Sequence, residues 1–202
     1  MIRERKKLRN DVDDDSQAQE AAPQNSVFIT LSNSKLISYY LSGEIIEPEN
    51  YINVFQIIRS AGPNDLVKIH INSSGGLLST AIQFMRVLLE TQATVIASVE
   101  GDCCSAATMI MLAADEVELS PHSTFLFHNY SGGAIGKGGE LFEKIEHLQQ
   151  WSSDLFHDVY NGFLSESEIQ DIMKGKDIWM SAKEVKARID KRNKRINRRR
   201  HT

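Results

Sequence analysis

Apolar strands alternate with amphipathic helices along most of this chain, and that alternation limits the folds that it can adopt. Short β-branched and apolar runs predict strands, whereas apolar side chains at every third or fourth position predict helices. The predicted strands cover residues 27–31, 36–46, 66–72, 94–99, 117–119, 124–127 and 178–180. The predicted helices cover residues 47–60, 77–90, 105–114, 140–160 and 165–173, and a last helix opens with a capping box at Ser181. The pattern indicates a mainly parallel sheet covered by helices, with right-handed crossovers.

Length and composition indicate one domain with a charged segment at each end. A chain of 202 residues that is 41% hydrophobic can fill one core. We expect the domain to cover residues 27–190, after a charged arm over residues 1–26 that has too little apolar surface to order itself. From Lys183 to Thr202 there are ten Lys and Arg residues and two acidic ones, although the net charge of the chain is −4. No aromatic residue interrupts the tail over residues 191–202, so we expect a solvated terminus rather than nucleic-acid binding.

Cysteine usage and hydropathy predict the compartment. The two cysteines, Cys103 and Cys104, are neighbours in the sequence and cannot join distant segments. The longest apolar run, around residues 106–114, is too short to span a bilayer, and no apolar segment follows the basic N-terminus. We therefore expect a soluble cytoplasmic protein without a membrane partner.

Three segments place reactive side chains at the ends of predicted core elements. Ser105 begins a helix after an apolar strand, His128 ends a strand, and Asp177 directly precedes one. A serine hydroxyl becomes an effective nucleophile when an imidazole accepts its proton, and a carboxylate fixes the tautomer of that imidazole. Each residue also has an ordinary structural explanation, because serine caps helices, histidine suits strand ends and aspartate favours turns. Considered alone, the spacing favours these structural explanations.

A glycine-rich segment adds backbone donors to this set. The sequence Asn72-Ser73-Ser74-Gly75-Gly76 follows a predicted central strand, and it predicts a turn over residues 73–76. Glycines let backbone N–H groups approach a ligand closely, and ligands bind at the carboxyl ends of strands in open sheets. One amide from this segment, with the amide of Ala106, would form an oxyanion hole. An ordinary strand-to-helix turn explains the segment equally well.

Five segments, in this order, resemble the proteolytic subunit of the Clp protease. They are Tyr40-Leu41-Ser42-Gly43-Glu44-Ile45, Asn72-Ser73-Ser74-Gly75-Gly76, Gly101-Asp102-Cys103-Cys104-Ser105-Ala106-Ala107-Thr108, Phe127-His128-Asn129-Tyr130 and Asp177-Ile178-Trp179-Met180-Ser181-Ala182. The resemblance extends from about residue 27 to residue 187. It implies an α/β fold, a spiral of strand-helix units of the Clp protease and crotonase kind. A projecting handle is implied at about residues 134–175, around the predicted helix 140–160.

The resemblance also implies a function and a set of residue roles. Ser105 would be the nucleophile of a serine endopeptidase, His128 its general base and acid, and Asp177 the orienting carboxylate. The backbone N–H groups of Gly76 and Ala106 would form the oxyanion hole. The family implies protein or peptide substrates, a homo-oligomer of stacked heptameric rings around a degradation chamber, and a Clp-type AAA+ unfoldase as partner. It implies no cofactor and no metal.

Two other functions stay open at this point. A crotonase-like acyl-CoA enzyme would share the spiral fold and the backbone oxyanion hole, but that class needs carboxylates at its site. A catalytically quiet scaffold would keep the fold without hydrolysis, whereas a component of capsid maturation, as in phage-encoded family members, would cleave an assembly partner.

Other motifs in the sequence are weaker. The two thiols beside Ser105 could act as nucleophiles, but the order with His128 and Asp177 favours the hydroxyl. The glycine-rich residues 131–138 lack the first glycine and the final Ser or Thr of a phosphate-binding loop. No cysteine or carboxylate lies at metal-ligand spacing from three further histidines, His122, His147 and His157.

Overall fold

The computed structural model describes residues 27–30, 34–133 and 135–200. Its strands are β1 (Val27–Thr30), β2 (Leu36–Ile45), β3 (Leu66–Gly76), β4 (Thr94–Cys104), β5 (Glu116–Leu119), β6 (Thr124–Phe127) and β7 (Ile178–Ser181). Its helices are α1 (Ile52–Arg59), α2 (Leu78–Glu90), α3 (Ala106–Leu112), α4 (Gly138–Tyr160), α5 (Glu166–Met173) and α6 (Ala182–Arg200), with a 3₁₀ turn at Pro48–Tyr51 before α1. The predicted arm over residues 1–26 lies outside the described residues.

The strands form one sheet in the order β1-β2-β3-β4-β6-β7. The pairs from β2 to β6 are parallel, and only the edge strands β1 and β7 of this path pair antiparallel with their neighbours. β4 is long enough to serve two partners in succession, because residues 96–99 pair with β5 and residues 102–104 pair with β6. The mainly parallel α/β sheet predicted from the alternation is therefore confirmed.

The two faces of the sheet differ in burial. Alternate residues of β2, β3 and β4 are fully buried and form the core with α1, α2 and α3. The other face is polar and partly exposed, with Tyr40 stacked on His70 and Lys68 paired with Glu118. The helices that we expected to cover the sheet thus pack mainly on one face, which explains why these strands alternate in polarity instead of being continuously apolar.

The turn predicted over residues 73–76 is wrong, because β3 continues through Gly76. The ladder with β2 shifts register between Ser42 and Glu44 and then pairs Ile45 with Gly76. Two consecutive glycines in a strand look like a turn in the sequence, but here they permit close contact between backbones. β4 is likewise longer than predicted. Gly101 leaves room for the Asn72 side chain, and Asn72 Oδ1 accepts a hydrogen bond from Asp102 N at 3.0 Å, so the strand continues past residue 99.

The helices agree with the sequence pattern more closely than the turns do. α3 is shorter than predicted by one residue at its start and two at its end, and α4 begins two residues earlier than predicted. The capping box predicted at Ser181 is confirmed, because Ser181 N donates to Glu184 Oε2 at 2.8 Å and Glu184 N donates to Ser181 Oγ at 3.4 Å. No helix within the described ranges is both long and apolar enough to cross a membrane.

The basic C-terminal segment continues α6 as far as Arg200. Lysine and arginine are good helix formers, and positive charge near the C-terminus of a helix is favourable. Arg192 is partly buried, and its guanidinium donates to the carbonyl of Leu112 at 3.1 Å, the last residue of α3. This contact satisfies a carbonyl that the helix itself leaves without a partner.

A bidentate ion pair ties α6 to α5. The Arg188 guanidinium donates to Glu168 Oε1 at 2.6 Å and to Oε2 at 2.9 Å, and it also donates to the carbonyl of Phe163 at 3.2 Å. Hydrogen bonds from Arg188 lower the pKa of Glu168 to about 2. The pair therefore stabilises the fold through the ionised carboxylate.

This pair makes stability depend on pH in a defined window. In the unfolded chain Glu168 titrates with its ordinary pKa of 4.5, whereas in the folded chain its pKa is about 2. The ion pair therefore contributes fully to the free energy of unfolding above the ordinary pKa, and this contribution is lost as the pH falls toward about 2. We expect Glu168→Gln to lower the free energy of unfolding at pH 7 by about 1.5–3 kcal/mol and to flatten its decline between pH 5.5 and 3. Urea unfolding at several pH values measures both effects. The exposed Glu143→Gln serves as the control, and an equally steep decline in Glu168→Gln would contradict the assignment.

Candidate active site

Ser105 lies at the junction of β4 and α3, as predicted, and its backbone is strained. Its φ of 55° and ψ of −128° make it the one non-glycine residue with positive φ in the described part of the chain. Its N–H donates to the carbonyl of Leu126 on β6 at 2.8 Å. Ser105 occupies the N-cap position of α3, yet its side chain makes no capping hydrogen bond. The strained backbone therefore presents the hydroxyl without using it as a cap, and such strain clusters at functional sites.

Gly75 is the residue that lets β3 approach this junction. An added Cβ at Gly75 would lie 2.6 Å from Cys104 O, 2.6 Å from Ser105 Cβ and 3.1 Å from Ala106 N. Gly75 also has a φ of +92°, which side-chain-bearing residues rarely adopt. Its N–H donates to Ser73 Oγ at 3.1 Å, and that hydroxyl donates to Gly43 O at 2.6 Å. The sequence motif contained Gly75, but the motif alone did not distinguish its role from that of Gly76.

His128 and Asp177 face each other just beyond the β6–β7 ladder. Phe127 pairs with Ile178 in antiparallel register, so the next residues outward are His128 and Asp177. His128 Nδ1 lies 4.0 Å from Asp177 Oδ1, which is an ionic contact but too long for a hydrogen bond. The side chain of His128 is 27% exposed and that of Asp177 is 55% exposed. A small movement of the exposed carboxylate would close the distance.

A cleft of about 280 Å³ collects most of the predicted site residues. Ser105, His128, Gly76 and Ala106 all line it, whereas Asp177 is not among its lining residues. The remaining lining is largely apolar or aromatic: Leu77, Leu78, Met109, Tyr130, Leu148, Trp151, Phe156 and Tyr160, with Ser131 and Gly132 at one side. No carboxylate is among the described residues that line this cleft.

Two residues that were predicted to supply backbone donors, Ala106 and Gly76, line the cleft together with Ser105. Ala106 is the first residue of α3, so its N–H has no partner within the helix. Gly76 has a φ of +147°, and an added Cβ there would collide with the backbone of Ile45. The close contact fixes Gly76 against β2 at the edge of the cleft. Both residues that were predicted to supply an oxyanion hole thus stand at the cleft.

The two thiols next to Ser105 are held in the neutral form. Burial raises the pKa of Cys103 well above its ordinary value. Burial, and secondarily the nearby Asp102 carboxylate, also raises the pKa of Cys104. Because the thiolate is the reactive form, this environment disfavours a cysteine nucleophile. The thiols pack as small apolar groups.

The structure describes the surroundings of most of the weaker motifs found in the sequence. No group of three metal-ligating side chains occurs in the part of the chain that the structure describes. His122 and His147 are exposed, while His157 is half-buried and contacts Ser153 O at 2.7 Å and Glu166 Oε1 at 3.1 Å. In the glycine-rich stretch, Ser131 and Gly132 line the cleft, and residue 134 lies outside the described residues.

Helix α4 supplies cleft residues that the sequence did not assign to the site. Leu148, Trp151, Phe156 and Tyr160 line the cleft, although their spacing predicted only an amphipathic helix. The apolar periodicity predicted that these residues share one face of α4, but it did not predict what that face contacts. An aromatic residue near the end of a long helix is too common a feature to have indicated a site.

Comparison with known proteins identifies the family of the chain. The family model for Clp protease matches residues 24–188, so the chain belongs to the Clp protease family. It is similar to the ATP-dependent Clp protease proteolytic subunit of Bacteroides thetaiotaomicron, with 24% identity over 129 residues that cover 63% of this chain and 59% of that protein. A protein of the same name from Bacteroides fragilis is 24% identical over 131 residues, covering 63% of this chain and 62% of the relative. The match thus spans about three fifths of the length of these relatives. The mixed α/β fold expected from the sequence is the fold of this family.

The close approach at Gly75 can be tested without any assay of activity. Gly75→Ala places a methyl group against Cys104 and Ser105 in a backbone conformation that favours glycine. We expect it to lower the free energy of unfolding by about 2–5 kcal/mol, since strain and overpacking add. Gly162→Ala is the matched control, because Gly162 has a φ of +81° and open space around it, and should cost only about 1–2 kcal/mol. Equal losses in denaturant unfolding would show that the contact with Ser105 is unimportant.

Proposed function

We propose that this chain is a serine endopeptidase in which Ser105 is the nucleophile, His128 the general base and acid, and Asp177 the orienting carboxylate. The observation that carries the proposal is the shared cleft of Ser105 and His128, with Asp177 opposite His128 in the strand register. Membership in the Clp protease family supports the same reaction class. The names of the relatives, which describe a proteolytic subunit, support it further.

The proposed reaction proceeds in two halves. Ser105 Oγ attacks the carbonyl carbon of a peptide bond while His128 Nε2 accepts the hydroxyl proton. His128 then gives this proton to the leaving amine, and the acyl group stays on Ser105 as an ester. A water molecule, deprotonated by His128, attacks the ester, and the proton returns to Ser105 as the acid product leaves. Asp177 stabilises the cationic imidazole from the Nδ1 side once it closes the 4.0 Å separation.

The oxyanion of each tetrahedral intermediate would be bound by the N–H groups of Ala106 and Gly76. The first N–H of α3 has no helical partner, and the positive end of the helix dipole favours negative charge there. Gly75 is the poorer candidate of the two glycines, because its N–H already donates to Ser73 Oγ. This difference supports Gly76 as the second donor.

The cleft argues against the alternative functions. A crotonase-like acyl-CoA enzyme needs carboxylates at its site, and the described residues that line the cleft include none. A quiet scaffold would not require a strained serine whose side chain makes no capping bond and which shares an apolar cleft with a histidine. Of the three functions considered, the peptidase uses the most features of the site.

We further propose that the chain assembles with copies of itself through α4. Phe142 is 70% exposed and Ile145 is 55% exposed, and they lie three residues apart on one face of this helix. Exposed apolar residues of this size on one face of a helix support a contact with another subunit. Stacked heptameric rings around a chamber, and an ATP-driven unfoldase as partner, remain proposals that rest on the family and on the relatives' name, "ATP-dependent".

Removal of the Ser105 hydroxyl tests the reaction directly. We expect Ser105→Ala to lower kcat for a fluorogenic peptide by roughly 10⁴- to 10⁶-fold and to abolish labelling by a fluorophosphonate probe. Cys104→Ser is the control, because a buried neutral thiol is not needed in the reaction, and it should keep both labelling and turnover. The proposal fails if the wild-type protein is labelled on another residue, or if Ser105→Ala still cleaves the peptide at the wild-type rate.

The apolar cleft predicts the side chains that the enzyme accepts. Burial of a charged side chain against Met109, Trp151 and Phe156 costs more than burial of an apolar one. For peptides that differ only in the residue before the cleaved bond, we expect kcat/KM for Leu to exceed that for Asp or Lys by at least about 10-fold.

A pair of tryptophan variants locates this preference in the cleft. Trp151→Ala should reduce the ratio, whereas Trp179→Ala should leave it unchanged, because Trp179 is 60% exposed and is not a lining residue. Equal cleavage of charged and apolar peptides by the wild-type protein would contradict the prediction.

A further inference from the structure

Two buried hydroxyl groups connect the end of α4 to the peptide bond between Ser105 and Ala106. Tyr160 OH lies 2.8 Å from Thr108 Oγ1, and Thr108 Oγ1 donates to the carbonyl of Ser105 at 2.7 Å. A carbonyl oxygen only accepts, so the single hydroxyl proton of Thr108 is used for Ser105. Tyr160 must therefore be the donor to Thr108. The direction of both hydrogen bonds is fixed by this count of protons.

The connection is shielded from water. Thr108 is fully buried and Tyr160 is 1% exposed. Burial raises the pKa of the Tyr160 phenol well above its ordinary value, so the group remains a donor throughout the usable pH range. The backbone N–H of Thr108 also donates to Ser105 O at 2.9 Å. Two donors on one oxygen hold the Ser105 carbonyl in a single orientation.

The same peptide plane carries the amide of Ala106. A trans peptide group is planar, so its N–H points away from its C=O. The carbonyl oxygen contacts Thr108, and the nitrogen lies on the side of Gly75, where an added Cβ would be 3.1 Å away. A peptide beside a residue with a φ of 55° needs such restraints, because rotation of the plane would relieve strain.

We propose that Tyr160 and Thr108 are positioning residues that orient the Ala106 N–H toward the oxyanion through the Ser105 carbonyl. The inference rests on the proposed peptidase function. Tyr160 also packs edge-on against Phe127, with ring centroids 5.6 Å apart and planes at 80°. Because Phe127 directly precedes His128, one side chain supports both the oxyanion donor and the proposed base. The last residue of α4 is thereby part of the support of the site.

Deletion of single hydroxyl groups tests this role. Removal of an oxyanion donor lowers kcat by about 10²–10³-fold, and a misdirected donor keeps part of its effect. We therefore expect Tyr160→Phe and Thr108→Val each to lower kcat about 10-fold. KM for the peptide should stay within about 2-fold, because ground-state binding does not use this donor. Binding of a peptide boronate, whose tetrahedral adduct places an oxygen in the oxyanion hole, should weaken in parallel with kcat. Thr108→Ser keeps the hydroxyl and should retain wild-type kcat.

Further variants separate positioning from a general loss of stability. Thr91→Val removes a hydroxyl that donates to Ile58 O at 2.8 Å at a site away from the cleft, so it should lower the melting temperature without changing kcat. The double variant Tyr160→Phe with Thr108→Val should be no slower than Thr108→Val alone, since both act through one carbonyl.

The outcomes distinguish this inference from the proposed function. If Ser105→Ala abolishes cleavage but Tyr160→Phe keeps kcat and boronate affinity within about 2-fold of wild type, the positioning role is wrong and the peptidase stands. If Tyr160→Phe raises KM and leaves kcat unchanged, Tyr160 contributes to substrate binding only, and the inference is again overturned. If the wild-type protein neither cleaves peptides nor reacts with a fluorophosphonate, the proposed function itself fails.

Discussion

The site depends on two glycines that allow backbone to pack against backbone. Gly76 brings β3 against Ile45 of β2, and Gly75 brings it against the junction of β4 and α3. A side chain at either position would push three elements apart at the point where the cleft opens. Because β3 is central in the sheet, its distance from both neighbours is fixed along the whole ladder. The positions of the Ser105 hydroxyl and of the Gly76 amide follow from this one constraint.

Sequence patterns predicted the sheet, the junction at Ser105 and the strand end at His128, because these depend on local periodicity and on the rule that sites lie at strand ends. They could not predict the pairing of Asp177 with His128. That pairing depends on the antiparallel register of β6 and β7, which lie about fifty residues apart, and the family resemblance supplied the assignment instead. The error at residues 73–76 has the same origin, since a register shift in a neighbouring strand cannot be read from the glycines themselves.

Helix α4 shows why apolar periodicity gives only part of the information about a site. Phe142 and Ile145 near its start are exposed, whereas Phe156 and Tyr160 near its end are buried against the cleft and β6. The sequence pattern is the same along the whole helix. A periodic apolar face indicates that something covers it, but substrate, another subunit and the protein's own core are equally compatible with the pattern.

The restraints on Ser105 come from elements distant from it in sequence. A non-glycine residue with the backbone angles of Ser105 destabilises the folded state by about 1–3 kcal/mol. The structure holds Ser105 in this conformation through contacts with Leu126 of β6, Gly75 of β3 and the hydrogen-bonded hydroxyl groups of Tyr160 and Thr108. The residues just before Ser105 therefore need only fit the core. This explains how two neutral thiols can occupy positions 103 and 104 without disturbing the site. It also follows that a displacement of the end of α4 would reach Ser105 through Tyr160 and Thr108.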